Sequence, residues 1–182
     1  MAKKKTEPSW SDVKTKLADF DRAGLLGLVQ DMYVASKDNQ SFLHARFGMG
    51  DVLGSYKATI MRWLWPDVFK NQDYSVAKAK KPISDFKKAI GQPEGLAELM
   101  VFHCEQASGF SDDVGLDDDS YYDSLVRMFK QAVTMAMALP KVQREPYLDR
   151  LEDIRAWGQG MGWGLGEDFN ASWLKARLRI DT

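Results

Sequence analysis

The chain has 182 residues, a net charge of −1, 45% hydrophobic and 28% charged residues, the balance of an ordinary globular protein long enough for a sizeable core. A near-neutral total excludes bulk attraction to nucleic acid or anionic lipid, and no apolar run is long enough to span a bilayer. Cys104 is the only cysteine, which excludes an intrachain disulfide and a cysteine-rich zinc site.

The basic start Lys3-Lys4-Lys5 runs into Thr6-Glu7-Pro8, where a signal peptide needs an apolar stretch, so the expectation is a cytoplasmic protein without membrane contact. Residues 1–10 read as a flexible tail. Beyond it, apolar residues recur at helical spacing nearly throughout, and convincing two-residue alternation is absent. Ser9 or Ser11 is placed to cap a first short helix with Val13, Leu17 and Phe20. Leu25, Leu28, Val29, Met32 and Tyr33 mark a second helix, and Phe42, Leu43, Arg46 and Phe47 a third. Asp51 stands at an N-cap position ahead of Val52, Tyr56, Ile60, Trp63 and Leu64, with Pro66 ending or bending that helix.

Val76, Ala79, Ile83, Phe86 and Ile90 give the most regular apolar stripe, capped by Ser75 and stopped by Gly91; Pro82 inside it predicts a kink. Pro93 opens a helix with Leu96, Leu99, Met100, His103 and Ala107 on one face. An acidic loop is expected from about Ser108 to Ser120, then a longer helix carrying Tyr122, Leu125, Met128 or Phe129, Ala132, Val133 and Ala136, closed by Pro140. Pro146 suits the first turn of the next helix, with Tyr147, Leu151, Ile154 and Trp157 facing inward. Phe169, Trp173, Ala176 and Ile180 mark a last helix. Eight or nine helices on short loops predict one all-α domain over residues 11–182, a bundle or a short array of stacked helix pairs.

Two segments carry a likeness. Lys78-Ala79-Lys80-Lys81 followed by Ile83-Ser84-Asp85-Phe86-Lys87-Lys88, with the later Gly162-Trp163-Gly164, resembles an uncharacterised bacterial family of small all-helical proteins. The likeness runs over roughly residues 14 to 175, with Pro82 departing from the pattern. It implies a helical bacterial domain and brings with it no activity, cofactor or catalytic residue.

Five glycines alternate from Gly158 to Gly166, an arrangement that calls for unusual backbone angles or a close approach. Exposed amides there are one route to a phosphate site, but no strand precedes them and Glu167-Asp168 follows. The structural alternative is a helix C-cap at Gly158 and a tight loop folding Trp163 onto the core. Asp112, Asp113, Asp117, Asp118, Asp119 and Asp123 offer carboxylates for a divalent cation, yet the EF-hand pattern is not met, and the favoured reading is a solvated acidic loop with Asp119 or Ser120 capping the next helix.

Charge is segregated: six lysines fall from Lys70 to Ile90, whereas Gly91 to Val126 holds nine acidic residues and no lysine or arginine. His103-Cys104-Glu105 cannot converge within a helix, no Glu-x-x-His pair exists, and serine-nucleophile motifs are absent. Met128, Met135 and Met137 are candidates for an adaptable surface as well as for core. Trp65, beside Trp63 and before Pro66, is the expected exposed aromatic anchor, because neighbouring helical residues cannot both point inward. The sequence therefore points away from an enzyme, with no catalytic residue, metal or cofactor expected. Its leading expectation is a protein–protein interaction or adaptor protein, self-association included, with Trp65, Gly162, Trp163 and Gly164 as binding candidates. The alternatives are a nucleic-acid accessory protein using Lys78, Lys80, Lys81, Lys87 and Lys88, and a nucleotide- or phosphate-binding domain using the glycine segment.

Overall fold

The computed structural model of the chain describes residues 7–162 and 164–177, and over them the protein is all-α, with nine helices, one 3-10 turn and no strand. The helices are α1 (Trp10–Leu17), α2 (Arg22–Ala35), α3 (Lys37–Arg46), α4 (Gly54–Leu64), α5 (Val76–Ala89), α6 (Pro93–Val114), α7 (Asp119–Met137), α8 (Lys141–Gly160) and α9 (Leu165–Arg177). The chain divides into two compact units, Met1–Leu43 and His44–Thr182.

In the first unit, local chemistry sets the helix starts. Ser9 and Asp12 form a capping box on α1, and the Asp21 carboxylate accepts from the Gly24 amide at 2.7 Å on α2. The Asn39 amide donates to the Met32 carbonyl at 2.6 Å and fastens the turn between α2 and α3. Neither α1 nor α2 has a buried residue, and Trp10, Leu26, Met32 and Val34 are all more than half exposed.

The second unit holds the core. α6 packs against α4, α5, α7 and α8, so it buries residues around much of its circumference, from Leu96, Leu99 and Val101 to His103, Cys104 and Phe110. α7 lies against α6, α8 and α9 and contributes Leu125, Phe129, Ala132 and Val133, all with 1% exposure or less. Phe86, Phe129 and Phe169 are sealed in, each worth about 1.5–3 kcal/mol relative to an exposed ring. Phe86 is thus core, as its place in the α5 stripe predicts, and Met128 is core as well. Met135 and Met137 pack against that core partly buried.

Several element boundaries differ from expectation for identifiable reasons. The acidic loop begins only at Gly115, because Ser108 bonds back to the Cys104 carbonyl and Ser111 pairs with the Tyr122 hydroxyl, keeping Ser108–Val114 in the helix. Gly115, at φ +59°, ends α6 in the left-handed region. Asp118, not Asp119 or Ser120, caps α7 by accepting from the Tyr121 amide. α8 starts at Lys141 with Pro140 at its N-cap, which places Pro146 inside the helix rather than in its first turn. Pro82 likewise lies within α5 without ending it; the proline removes only the bond to the Lys78 carbonyl, and its ring is buried on the apolar face. Gly158 is not a C-cap, since α8 continues to Gly160 and is closed by Met161. Trp163 and Ile180 lie outside the described residues.

Candidate functional site

Between α4 and α5 the chain makes a closed loop. The Ser75 amide donates to the Trp63 carbonyl at 2.9 Å and joins its two ends. Inside it, the Lys70 and Gln72 amides donate to the Asp67 carbonyl, the Asp67 amide donates to the Gln72 side chain, and the Asp67 carboxylate accepts from the Phe69 amide and pairs with Lys70 at 2.8 Å. The Lys70 ammonium holds the Asp67 carboxyl below its usual range. Asn71, at φ 50°, takes the left-handed turn that brings the chain back. Upon this fastened loop Phe69 is 97% exposed. An aromatic ring in a mobile tail is unremarkable; one held out by a hydrogen-bonded loop is a presented side chain.

Trp65 begins the same loop. Its backbone caps α4 with a 2.7 Å bond to the Met61 carbonyl. Its ring meets α6 edge-on at Phe110, with centroids 6.3 Å apart, and a Cβ added to Gly109 would fall 2.7 Å from it. Gly109 is therefore the recess that receives the edge of the indole on α6. The outer part of the ring stays open, at 39% exposure, while Trp63 is only partly exposed. Tyr74 closes the far side of the loop, its ring tilted against Phe110 and edge-to-face with Tyr121, and donates its hydroxyl to Asp118 at 2.8 Å. That bond raises the Tyr74 pKa. Met61, one turn before Trp65, and Val114, one turn after Phe110, are exposed apolar residues as well.

Beside it, α6 and α8 enclose an open groove of about 260 Å³ whose lining includes Gly109, Asp112, Asp153, Ile154 and Trp157. The Trp157 indole donates to Asp112 at 3.2 Å. On the inner wall Arg150 bridges Glu98 and Glu105, both at 2.6 Å, and Lys57 also reaches Glu98 at 2.6 Å. Burial works against the Glu98 charge, but the bonds from Arg150 and Lys57 outweigh it and hold the carboxyl below its usual range. This network ties α4, α6 and α8 together. A second cavity, of about 460 Å³, is lined by Val52, Leu53, Phe86, Ile90 and Tyr147 among others.

The lysines named as a basic patch do not share one face. At about 100° per residue, Lys80 and Lys87 flank one side of the buried stripe of α5, Lys78 flanks the other, and Lys81 and Lys88 point away from the core. Lys78 sits 4.1 Å over the Trp63 ring, which Arg62 also covers at 4.6 Å. Lys80 turns inward to donate to Ser124 at 2.5 Å, and burial lowers its pKa. Lys81 pairs with Asp85 at 2.6 Å.

The glycine segment is the junction of α8 and α9. A Cβ on Gly158 would lie 2.6 Å from the Phe169 ring, and one on Gly166 would lie 3.0 Å from the Gln159 backbone, so these two allow the helices to touch. Gly162 and Gly164, at φ +70° and +69°, turn the chain. Among the described residues no three histidine, cysteine or acidic side chains converge to hold a metal ion. No described helix is long and apolar enough to cross a membrane. His103 and Cys104 are both fully buried, and burial raises the Cys104 thiol far above its ordinary value, the opposite of an activated nucleophile.

Phe69 and the groove are absent from the sequence-level candidates. The signal for Phe69 is an aromatic residue set among turn formers, Pro66-Asp67 before it and Asn71 after it. The groove leaves no local signal, because Asp112 and Trp157 stand 45 residues apart. Over the described residues the fold is all-α, and Trp65 and Phe69 both expose aromatic surface on the connection between α4 and α5. Comparison with protein-family models, curated proteins and solved structures returns no match for this chain.

Proposed function

We propose that this chain is a protein-interaction protein, without catalytic function, whose contact surface is the aromatic face formed by Met61, Trp65, Phe69 and Val114. The observation that carries the reading is Phe69, 97% exposed on a loop closed by the Ser75–Trp63 bond and braced by Asp67. Holding a large apolar ring in water forgoes roughly 1.5–3 kcal/mol of burial, which a protein partner recovers on binding. Preorganisation of the loop supports the same reading, since little conformational entropy is left to lose. Trp65 adds a second ring of the type enriched in interface centres.

The test is site-specific photocrosslinking in host extract. A photoreactive phenylalanine analogue at position 69 is expected to give a discrete protein adduct, and the same analogue at Val142, an equally open site on α8, is expected to give none. Absence of any discrete adduct at 69, or the same adducts at both positions, removes the proposal.

A further inference from the structure

The charges around the aromatic face specify what kind of segment fits it, and this step rests on the protein-interaction reading above. Gly109 both lines the groove between α6 and α8 and receives the Trp65 ring, so groove and aromatic face are continuous. On the groove side stand Asp112 and Asp153, exposed carboxylates with no cation in salt-bridge reach among the described residues. Asp112 accepts a hydrogen bond from the Trp157 indole, a neutral donor. Glu105, deeper in the groove, is already matched by Arg150. Asp113 lies one turn beyond Gly109 on the same side of α6, and Asp117 follows in the short connection to α7. Cations near the face are engaged: Lys70 by Asp67, and Arg62 by the Trp63 ring.

We infer that the occupant of this face is a basic amphipathic segment of a partner protein, placing an apolar side chain against Trp65 and Phe69 and a lysine or arginine in the groove between Asp112, Asp153 and Trp157. A cationic side chain there meets two carboxylates and an indole, combining ion pairing with cation–π attraction in a partly desolvated setting. An acidic segment meets the same carboxylates as repulsion, which makes the selection two-sided. The groove volume of about 260 Å³ admits one long side chain rather than a folded element.

Helix α5 of a second copy is a poorer occupant. It spends Lys78 on Trp63, Lys80 on Ser124 and Lys81 on Asp85, and its apolar residues are buried in that copy's own core. Lys87 and Lys88 remain, with no apolar partner beside them to fill the aromatic half of the site.

The test uses the full chain and two labelled 18-residue helical peptides with identical leucine faces, one with lysine and one with glutamate on the polar face, followed by fluorescence anisotropy. The lysine peptide is expected to bind and the glutamate peptide to bind at least tenfold more weakly. The double variant Asp112→Asn/Asp153→Asn is expected to weaken the lysine peptide about tenfold while its melting temperature stays unchanged, because asparagine still accepts from Trp157. Phe69→Ser is expected to weaken it as well. Equal binding of the two peptides, or an unaltered affinity in the double variant, overturns the inference. If position 69 still crosslinks a protein in extract when that happens, the interaction reading stands and only the assigned chemistry fails. Concentration-dependent dimerisation abolished by Phe69→Ser and not competed by the lysine peptide makes a second copy the occupant and overturns the inference.

Discussion

His103 lies midway along α6 with no exposed surface, and both ring nitrogens lack a hydrogen-bond partner. A neutral imidazole always carries one N–H, so a buried donor is left unpaired at a cost of about 1–3 kcal/mol. Burial, with the Lys80 ammonium as a second cause, pushes its pKa from the usual 6.5 down to about 3. The folded value is below the unfolded one, so the unfolded chain takes up the proton first. Stability due to neutral His103 is therefore full above about pH 6.5 and is lost as pH falls toward 3. The upper part of that window lies above the range in which the perturbed carboxylates Glu98 and Asp118 titrate. His103→Leu is expected to raise the urea midpoint and to flatten its decline between about pH 6.5 and 5. Chemical denaturation at several pH values measures both, and an unchanged decline would show that His103 is not the titrating group.

Among the elements, the joint between α8 and α9 separates the glycines by role. Gly158 faces the fully buried Phe169, which stacks on Phe129 with centroids 4.3 Å apart and has no free direction in which to move. A methyl group 2.6 Å from that ring is overpacked, so Gly158→Ala is expected to cost about 1–3 kcal/mol. Among the described residues nothing lies within 4 Å of a Cβ added to Gly160, whose backbone is ordinary helix, so Gly160→Ala is expected to be neutral or slightly stabilising. Thermal melts of the two variants decide the matter, and equal losses would mean that contact with Phe169 is not what requires glycine. Alternation in the sequence flags all five positions alike. Only the helix–helix distance distinguishes the packing glycines Gly158 and Gly166 from the turning glycines Gly162 and Gly164.

At the scale of the molecule, every buried apolar residue among those described lies at Ala45 or later, which places the cooperative core in the second unit. A chain beginning at His44 is accordingly expected to unfold in one transition with a midpoint within about 5 °C of the full protein, since a loss of 1 kcal/mol shifts a domain of this size by only a few degrees. Calorimetry checks it: loss of the cooperative transition would give the first unit a structural part that its exposed residues do not suggest. The acidic bias of α6 and its connection to α7 also acts at this scale, setting a negative field around the aromatic face whose effect on encounter rates falls with added salt.

The sequence by itself determined the helices, because their signals are local. Caps such as Ser9 and Ser75 act within three residues, the Gly91 stop acts at one position, and the stripe of α5 repeats every turn. The partial exposure of Trp65 was legible for the same reason, since it stands two residues after Trp63 at a helix end. What only the tertiary structure decided are the meetings of distant residues: Arg150 with Glu98 and Glu105, Gly109 with Trp65, Trp157 with Asp112, and the inward turn of Lys80 onto Ser124. Those pairings depend on how helices cross, and crossing is set by the summed shape of many side chains rather than by any one of them. The closed loop that presents Phe69 belongs partly to each: its turn residues are written in the sequence, while the exposure of the ring follows from where α4 and α5 leave it.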